Sequence, residues 1–445
     1  MAETSREQQI VLAALAAQGL LSSAQMQQLL GKSQPSVSRL LAEMSAAVLP
    51  LGRGKSTLYG LPLSIHGRAA QQQIFWTTAS GQTQEFGRLS LLAGQLLHIE
   101  SPWIKCTPSR ALPWFLSPVQ AQGFLGRLLA GQLQGAGLDS NPERWGLADI
   151  LFAALHLPNA SGALSLGDAA SEQLASGPSP GPSPSSLPRR LNLQAAALDQ
   201  LAQDIARTLP AGSSAGGEQP KFLTQMPSGK QVLVKFTPPR GTPFGERWHD
   251  LLHAEQLASQ LLQEAGIAAA ATQIIESPLR SYLLSERFDR VGAQGRRHVL
   301  AVGAVHQGFV ADAYQNWALT SAALARQKRL PRPQAEQAAW ALAFGRLIGN
   351  TDMHAGNLSF FVELQDLARG RFTLAPIYDM LPMRWRPNPT LGGLPDYQAI
   401  APDTWALQSP AAPWARRFWL RLSEQGAVSP GLRKLAKAMA ATIPA

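Results

Sequence analysis

Asp352, His354 and Asn357 lie close together in the stretch GNTDMHAGNLSF, residues 349–360. The run before them, AAWALAFGRLIGN, reads as a buried helix, and the following LSFFVEL reads as a strand. The three therefore sit on a tight loop between packed elements, where a rigid scaffold can hold working groups. A carboxylate there can take a proton from a hydroxyl, and an amide oxygen beside it can bind a hard cation. A second acid, Asp379 in LAPIYDMLP, follows after a turn and a strand and can complete such a cation site. His354 reads as a hydrogen-bonding group near the loop rather than a metal ligand.

Groups suited to an anion lie upstream. In AGSSAGGEQPKFL, residues 211–223, Gly216 and Gly217 allow backbone N–H groups to approach phosphate oxygens, and Lys221 ends the loop. The next strand, KQVLVKF, carries Lys235 inside an apolar run, where an ammonium is costly to bury without an anion. The amphipathic helix GERWHDLLHAEQLASQLLQEAG ends at Gly266 and offers Glu255 as a partner for Lys235. SYLLSERFDR then joins an apolar strand to a charged segment. Taken singly, each part has a plainer reading: a flexible linker, a solvated helix residue, an edge strand with an ion-paired end, a turn aspartate, a capping asparagine.

In order, these parts follow the plan of protein kinases. There a strand lysine pairs with nucleotide phosphates and a helix glutamate, H-R-D-x-x-x-x-N supplies base and metal ligand, and D-F-G a second metal ligand. Asp352 and Asn357 have the D-x-x-x-x-N spacing. On that plan backbone groups from Glu286 to Phe288 would contact adenine. H-R-D, D-F-G, A-P-E and G-x-G-x-x-G are all missing, so activation-loop control is not expected.

The motifs SAGGEQPK, ERFDR, GNTDMHAGN and YDMLP resemble those of the HipA family of serine/threonine kinases, toxins of bacterial toxin–antitoxin systems, over roughly residues 80–440. The resemblance implies that Lys235 contacts ATP phosphates, that Asp352 is the catalytic base, and that Asn357 and Asp379 bind Mg²⁺. It places Gly216, Gly217, Lys221, Glu286, Phe288 and His354 around the nucleotide. It implies autophosphorylation of the loop at Ser214, with Ser213 beside it, although Pro220 stiffens that loop. It also implies a cytoplasmic protein substrate, with an aminoacyl-tRNA synthetase as the target class, and an antitoxin partner.

The elements that must position these groups fall into three blocks, 1–66, 68–190 and 191–445. The second ends in the Pro/Gly/Ser-rich SGPSPGPSPSSLP, and a shorter flexible point is expected at SIHGR near residue 66. Residues 5–62 read as three short helices and a hairpin, resembling a winged helix-turn-helix DNA-binding domain. Its third helix, capped by Ser33 with Pro35 in the first turn, offers Gln34, Ser36, Ser38 and Arg39 to a groove. Arg53 and Lys55 on the wing would meet phosphates. In the second block QEFGRLSLLAGQLLHIES suggests a hairpin and ERWGLADILFAAL a helix, while Trp103, Trp114 and Trp145 read as packing residues.

At 445 residues, 45% hydrophobic, the chain has length for two or three domains, and its net charge of +10 favours an anionic partner. Cys106 is alone, so neither an intrachain disulfide nor a cysteine-based metal site is available. The first residues are acidic rather than signal-like, and no apolar run reaches the roughly 20 residues of a membrane span, so a cytoplasmic protein without a membrane partner is expected. The expected class is α/β (α+β): a winged helix-turn-helix followed by a two-lobed HipA-like kinase fold with a mainly α-helical C-lobe. The expected activity is ATP- and Mg²⁺-dependent protein phosphorylation. The alternatives are a DNA-binding regulator with a non-catalytic kinase fold and a metal-dependent enzyme acting on DNA.

Overall fold

The computed structural model describes residues 5–157, 159–167, 195–208, 219–388 and 393–444. The expected Pro/Gly/Ser linker lies outside them.

The first unit holds α1 (Arg6–Gln18), β1 (Leu20–Ser22), α2 (Ser23–Leu30), α3 (Gln34–Glu43), β2 (Leu49–Leu51) and β3 (Leu58–Gly60). Ser5 and Ser22 each accept a hydrogen bond from the backbone three residues on, and Gln8 and Gln25 return the bond, so α1 and α2 begin with capping boxes. Ser33 stands at the N-cap of α3 but does not cap it; its hydroxyl shares a 3.1 Å hydrogen bond with Ser36 Oγ. Pro35 has already removed one donor from that first turn. Val37, Leu40, Leu41 and Met44 face inward onto Val11 and Leu15, closing a core separate from the rest of the chain. β3 lies between β1 and β2, antiparallel to both.

The SIHGR segment is an ordered turn rather than a flexible point. His66 and Gly67 both take positive φ, Ile65 and Arg68 exchange backbone hydrogen bonds, and the His66 ring meets Asp149 at 2.6 Å. Beyond it, β4 (Gln71–Thr77), β5 (Thr83–Leu92), β6 (Leu96–Glu100) and β7 (Leu164–Leu166) form a sheet in the order β6-β5-β4-β7. The hairpin expected from sequence is β5–β6. Helices α4 (Gly123–Leu133) and α5 (Leu147–Leu155) accompany this sheet. Trp145 is buried, and Trp114 packs edge-on against Phe309 and Phe372 from distant sequence.

The next elements are α6 (Ala195–Thr208), β8 (Lys221–Gln225), β9 (Gln231–Phe236), α7 (Pro243–Glu264), β10 (Thr272–Glu276) and β11 (Ser281–Glu286). Their antiparallel sheet runs β10-β11-β9-β8. Because side chains alternate along a strand, Val232, Val234 and Phe236 pack with α4 and α6, while Lys235 faces the other way. After the ribbon β12 (Arg290–Val291) and β13 (Gly295–Arg296) come β14 (His298–Ala301), α8 (Val302–Phe309), α9 (Trp317–Arg326) and α10 (Arg332–Leu347). Strands β15 (Ser359–Val362) and β16 (Thr373–Leu374) complete a small sheet with β14, and α11 (Thr404–Leu407), α12 (Ala412–Glu424) and α13 (Pro430–Thr442) close the chain. One continuous core runs from Leu89 and Phe115 through Phe344 to Trp419, so the middle sheet and the C-terminal helices fold against each other.

A buried ion cluster ties the same regions together. Asp289 receives Arg287 through Nε at 3.0 Å and Nη2 at 2.8 Å, Arg290 at 2.6 Å, and the Gly162 N–H at 3.0 Å. Arg290 also donates to the Ala160 carbonyl at 2.7 Å. Burial opposes the Asp289 charge, but the two guanidiniums outweigh it and hold its pKa well below the ordinary carboxylate range. The stabilisation is therefore complete above the ordinary aspartate pKa of about 4 and fades as pH falls below it. Asp289→Ala is expected to cost about 3–5 kcal/mol in urea unfolding at neutral pH, with the gap from wild type narrowing in acid.

Candidate active site

Lys235 is 4% exposed, and its ammonium would be untenable there alone. It donates to Glu255 Oε1 on α7 at 2.6 Å and to Asp379 Oδ1 on the segment after β16. The lysine expected to contact phosphate and the glutamate expected to pair with it thus meet, and the third partner is an acid expected to bind metal. Burial works to deprotonate Lys235, but Asp379 and Glu255 outweigh it and hold its pKa above the ordinary value. Asp379 is held low, burial being overcome by Lys235 and Lys221. Glu255, more deeply buried and beside a second carboxylate, is pushed up by burial despite Lys235. Its Oε2 has no partner among the described residues.

Lys221 stands directly opposite Lys235 in the β8–β9 register. Cross-strand like charges repel, so this pair is stable only beside compensating negative charge. Both lysines and Asp379 line a cleft of about 640 Å³ whose apolar walls include Leu233, Phe288 and Val299. That volume suits a nucleotide-sized ligand. Of the backbone groups expected near adenine, the Glu286 N–H donates to the Ala271 carbonyl and the Arg287 N–H to that of Gln231. The Glu286 side chain pairs with Lys230 at 2.5 Å, and the Phe288 ring leans on Tyr378 at 5.5 Å between centroids.

The loop after α10 reaches this cleft through Ala355 and Gly356. Asn357 donates from Nδ2 to the Asp352 carbonyl at 2.8 Å, which turns its oxygen pole away from that contact. His354 accepts the Gly356 N–H on Nδ1 at 2.9 Å and leaves its side chain 60% exposed, closing the loop as a hydrogen-bonding group. Its carbonyl accepts from Trp317 Nε1 at 2.9 Å. Tyr378 donates to the Gly356 carbonyl at 2.7 Å, and burial drives its phenol pKa up.

Asn350 was not among the residues singled out from sequence, yet it joins the two acids. Its Oδ1 accepts the Asp352 N–H at 2.9 Å, and its Nδ2 donates to the Asp379 carbonyl at 3.2 Å. Asp379 has φ +54°, a left-handed conformation that aspartate tolerates better than most residues. The available signal was an asparagine two residues ahead of Asp352, the spacing of an Asx turn.

Gly216, Gly217, Ser213 and Ser214 lie outside the described residues. In the first unit Gln34, Ser38, Arg39 and Arg53 are exposed, Ser36 is half-buried, and Lys55 lies on the short turn Gly54–Ser56 between β2 and β3.

Residues 213–444 match the model of the HipA-like C-terminal domain, and residues 68–175 that of the YjjJ-like toxin middle domain. Toxin YjjJ of Escherichia coli (strain K12) is 33% identical over 444 residues, covering 95% of this chain and 94% of that protein. The chain belongs to the HipA family of toxins. Its fold is similar to a chain of the Shewanella oneidensis MR-1 toxin–antitoxin complex of HipA, HipB and operator DNA. That likeness has a TM-score of 0.53 and 16% identity, covering 84% of this chain and 95% of the other. Among the described residues of this HipA-family chain, no helix is long and apolar enough to cross a membrane.

Removing one member of the buried trio should be worse than removing a pair. Lys235→Met is expected to lose about 3–5 kcal/mol of stability in denaturant titration. Lys235→Met combined with Glu255→Met should recover most of that loss, since no buried carboxylate is then stranded on α7.

Proposed function

We propose that the chain is an ATP- and Mg²⁺-dependent protein kinase that phosphorylates serine or threonine on a cytoplasmic protein. The observation that carries this reading is Lys235 held between Glu255 and Asp379 at a nucleotide-sized cleft, with Lys221 opposite. Lys235 and Lys221 are placed to hold anionic phosphates. Asp352 accepts the substrate hydroxyl proton while the new oxygen–phosphorus bond forms and the bond to the ADP leaving oxygen breaks. Asn357 Oδ1 and the Asp379 carboxylate are hard oxygen donors that fit Mg²⁺, which when bound there would neutralise charge on the phosphates. Asn350 keeps both acids in register for this work. An aminoacyl-tRNA synthetase is the target class implied by the family resemblance.

Loop regulation follows from charge. The family resemblance implies autophosphorylation at Ser214 or Ser213, and such a phosphate would add about −1.5 to −2 charge to a loop expected to meet ATP phosphates, disfavouring nucleotide binding. The test is incubation with γ-labelled ATP and Mg²⁺, wild type beside Asp352→Asn, with phosphopeptide mapping. Transfer to Ser213, Ser214 or a protein of added extract is expected in wild type and should fall by about 10²-fold or more in the variant. Retained ATP binding without transfer to any residue would favour the non-catalytic regulator instead.

The first unit is proposed to bind DNA through α3 and the β2–β3 turn, and an antitoxin is a candidate partner. Support comes from the exposed Gln34, Ser38, Arg39 and Arg53, and from the HipB and operator DNA in the structural relative. Arg53→Ala should weaken binding to all duplexes alike and lower the salt slope by about one. Arg39→Ala should narrow the gap between the operator and unrelated DNA in a mobility-shift assay, by about 1–3 kcal/mol.

A further inference from the structure

We propose that His249, His253 and Glu276 form a binding site for a transition-metal dication of the zinc type, separate from the catalytic cleft. Among the described residues they are the one group of three metal-ligating side chains whose ligand atoms all lie within 4.8 Å of one another. His249 and His253 are spaced i, i+4 on α7, which puts both imidazoles on one face, as in helical zinc sites. Their ring centroids are 4.5 Å apart, and they are only 3% and 7% exposed. Glu276 closes the group from the end of β10, with Oε1 2.9 Å from His253 Nε2.

The surroundings already orient the ligands. His249 Nε2 donates to the Ala427 carbonyl at 2.9 Å, the outer contact that fixes a metal-binding histidine. This leaves the lone pair of Nδ1 aimed into the cluster, where Ser281 Oγ meets it at 2.7 Å. A cationic group is there too: Arg240 Nη1 is 3.2 Å from His249 Nδ1 and 3.9 Å from Glu276 Oε2. The guanidinium has a second anchor, Nε to Glu246 Oε1 at 3.1 Å, and can stay on it when Nη1 withdraws. Imidazole and carboxylate donors suit zinc, and a tetrahedral ion needs ligand atoms about 3.3 Å apart, a closure that the half-exposed Glu276 side chain can supply. On binding, the His253 Nε2–H···Oε1 hydrogen bond is replaced by Nε2–metal–Oε1 bridging, and the ring proton passes to Nδ1.

The proposal does not rest on kinase activity, and its test uses none. The full chain, stripped with a chelator, is titrated with zinc against a chromogenic competitor, with stoichiometry read by elemental analysis. About one zinc per chain is expected. His253→Gln and Glu276→Gln should each weaken binding by about tenfold or more, and Arg240→Ala should tighten it by removing the competing cation. Glu276→Gln removes only a partly exposed charge, so it keeps the test open if His253→Gln fails to fold. Zinc binding unchanged in Glu276→Gln, or seen only after Arg240→Ala, would overturn the proposal for the native chain. So would an absence of binding in wild type.

Discussion

The candidate site depends on a single buried ammonium. Lys235 can exist inside the sheet only because Glu255 reaches it from α7 and Asp379 from the segment after β16. The three groups come from three separate elements, β9, α7 and the segment after β16, so the charge balance fixes how the strand layer meets the helical layer. Coulomb compensation, more than shape, selects this arrangement, because leaving any one charge unpaired costs more than most packing defects. On the proposed reading, an arriving polyanion would be a fourth party to that balance, taking over Lys235 and releasing Asp379 toward a cation.

Local chemistry in the sequence made much of this readable. The first unit showed its apolar stripe, and its three helices form in the expected order, although Ser33 stands at the start of α3 without capping it. The Lys235–Glu255 pair was legible because the lysine is a lone charge in an apolar strand and the glutamate is offered by the amphipathic helix that follows. Lys235 and Glu255 meet as their types suggested.

What stayed hidden is the part carried by long-range contact. Nothing local marks the tie of Asn350 to Asp379, which lies 29 residues away. Within ERFDR the pairing of Asp289 with Arg287 and Arg290 is local, but the Gly162 N–H and Ala160 carbonyl that the cluster also holds lie 127 and 130 residues earlier in the chain. SIHGR looked loose because glycine and histidine say nothing of Asp149, which pins the turn. The HxxxH pair on α7 escaped notice because one histidine gains meaning only from Ala427 and the other from Glu276.

Asn350 has a mechanical consequence. A single amide grips the backbone of both acids, by the N–H of Asp352 and the C=O of Asp379. Two loops that thermal motion would otherwise displace independently then share their fluctuations. The spacing between the Asp352 and Asp379 backbones is preserved even while the pair drifts together, so the two loops can breathe with the lobe and keep their mutual distance.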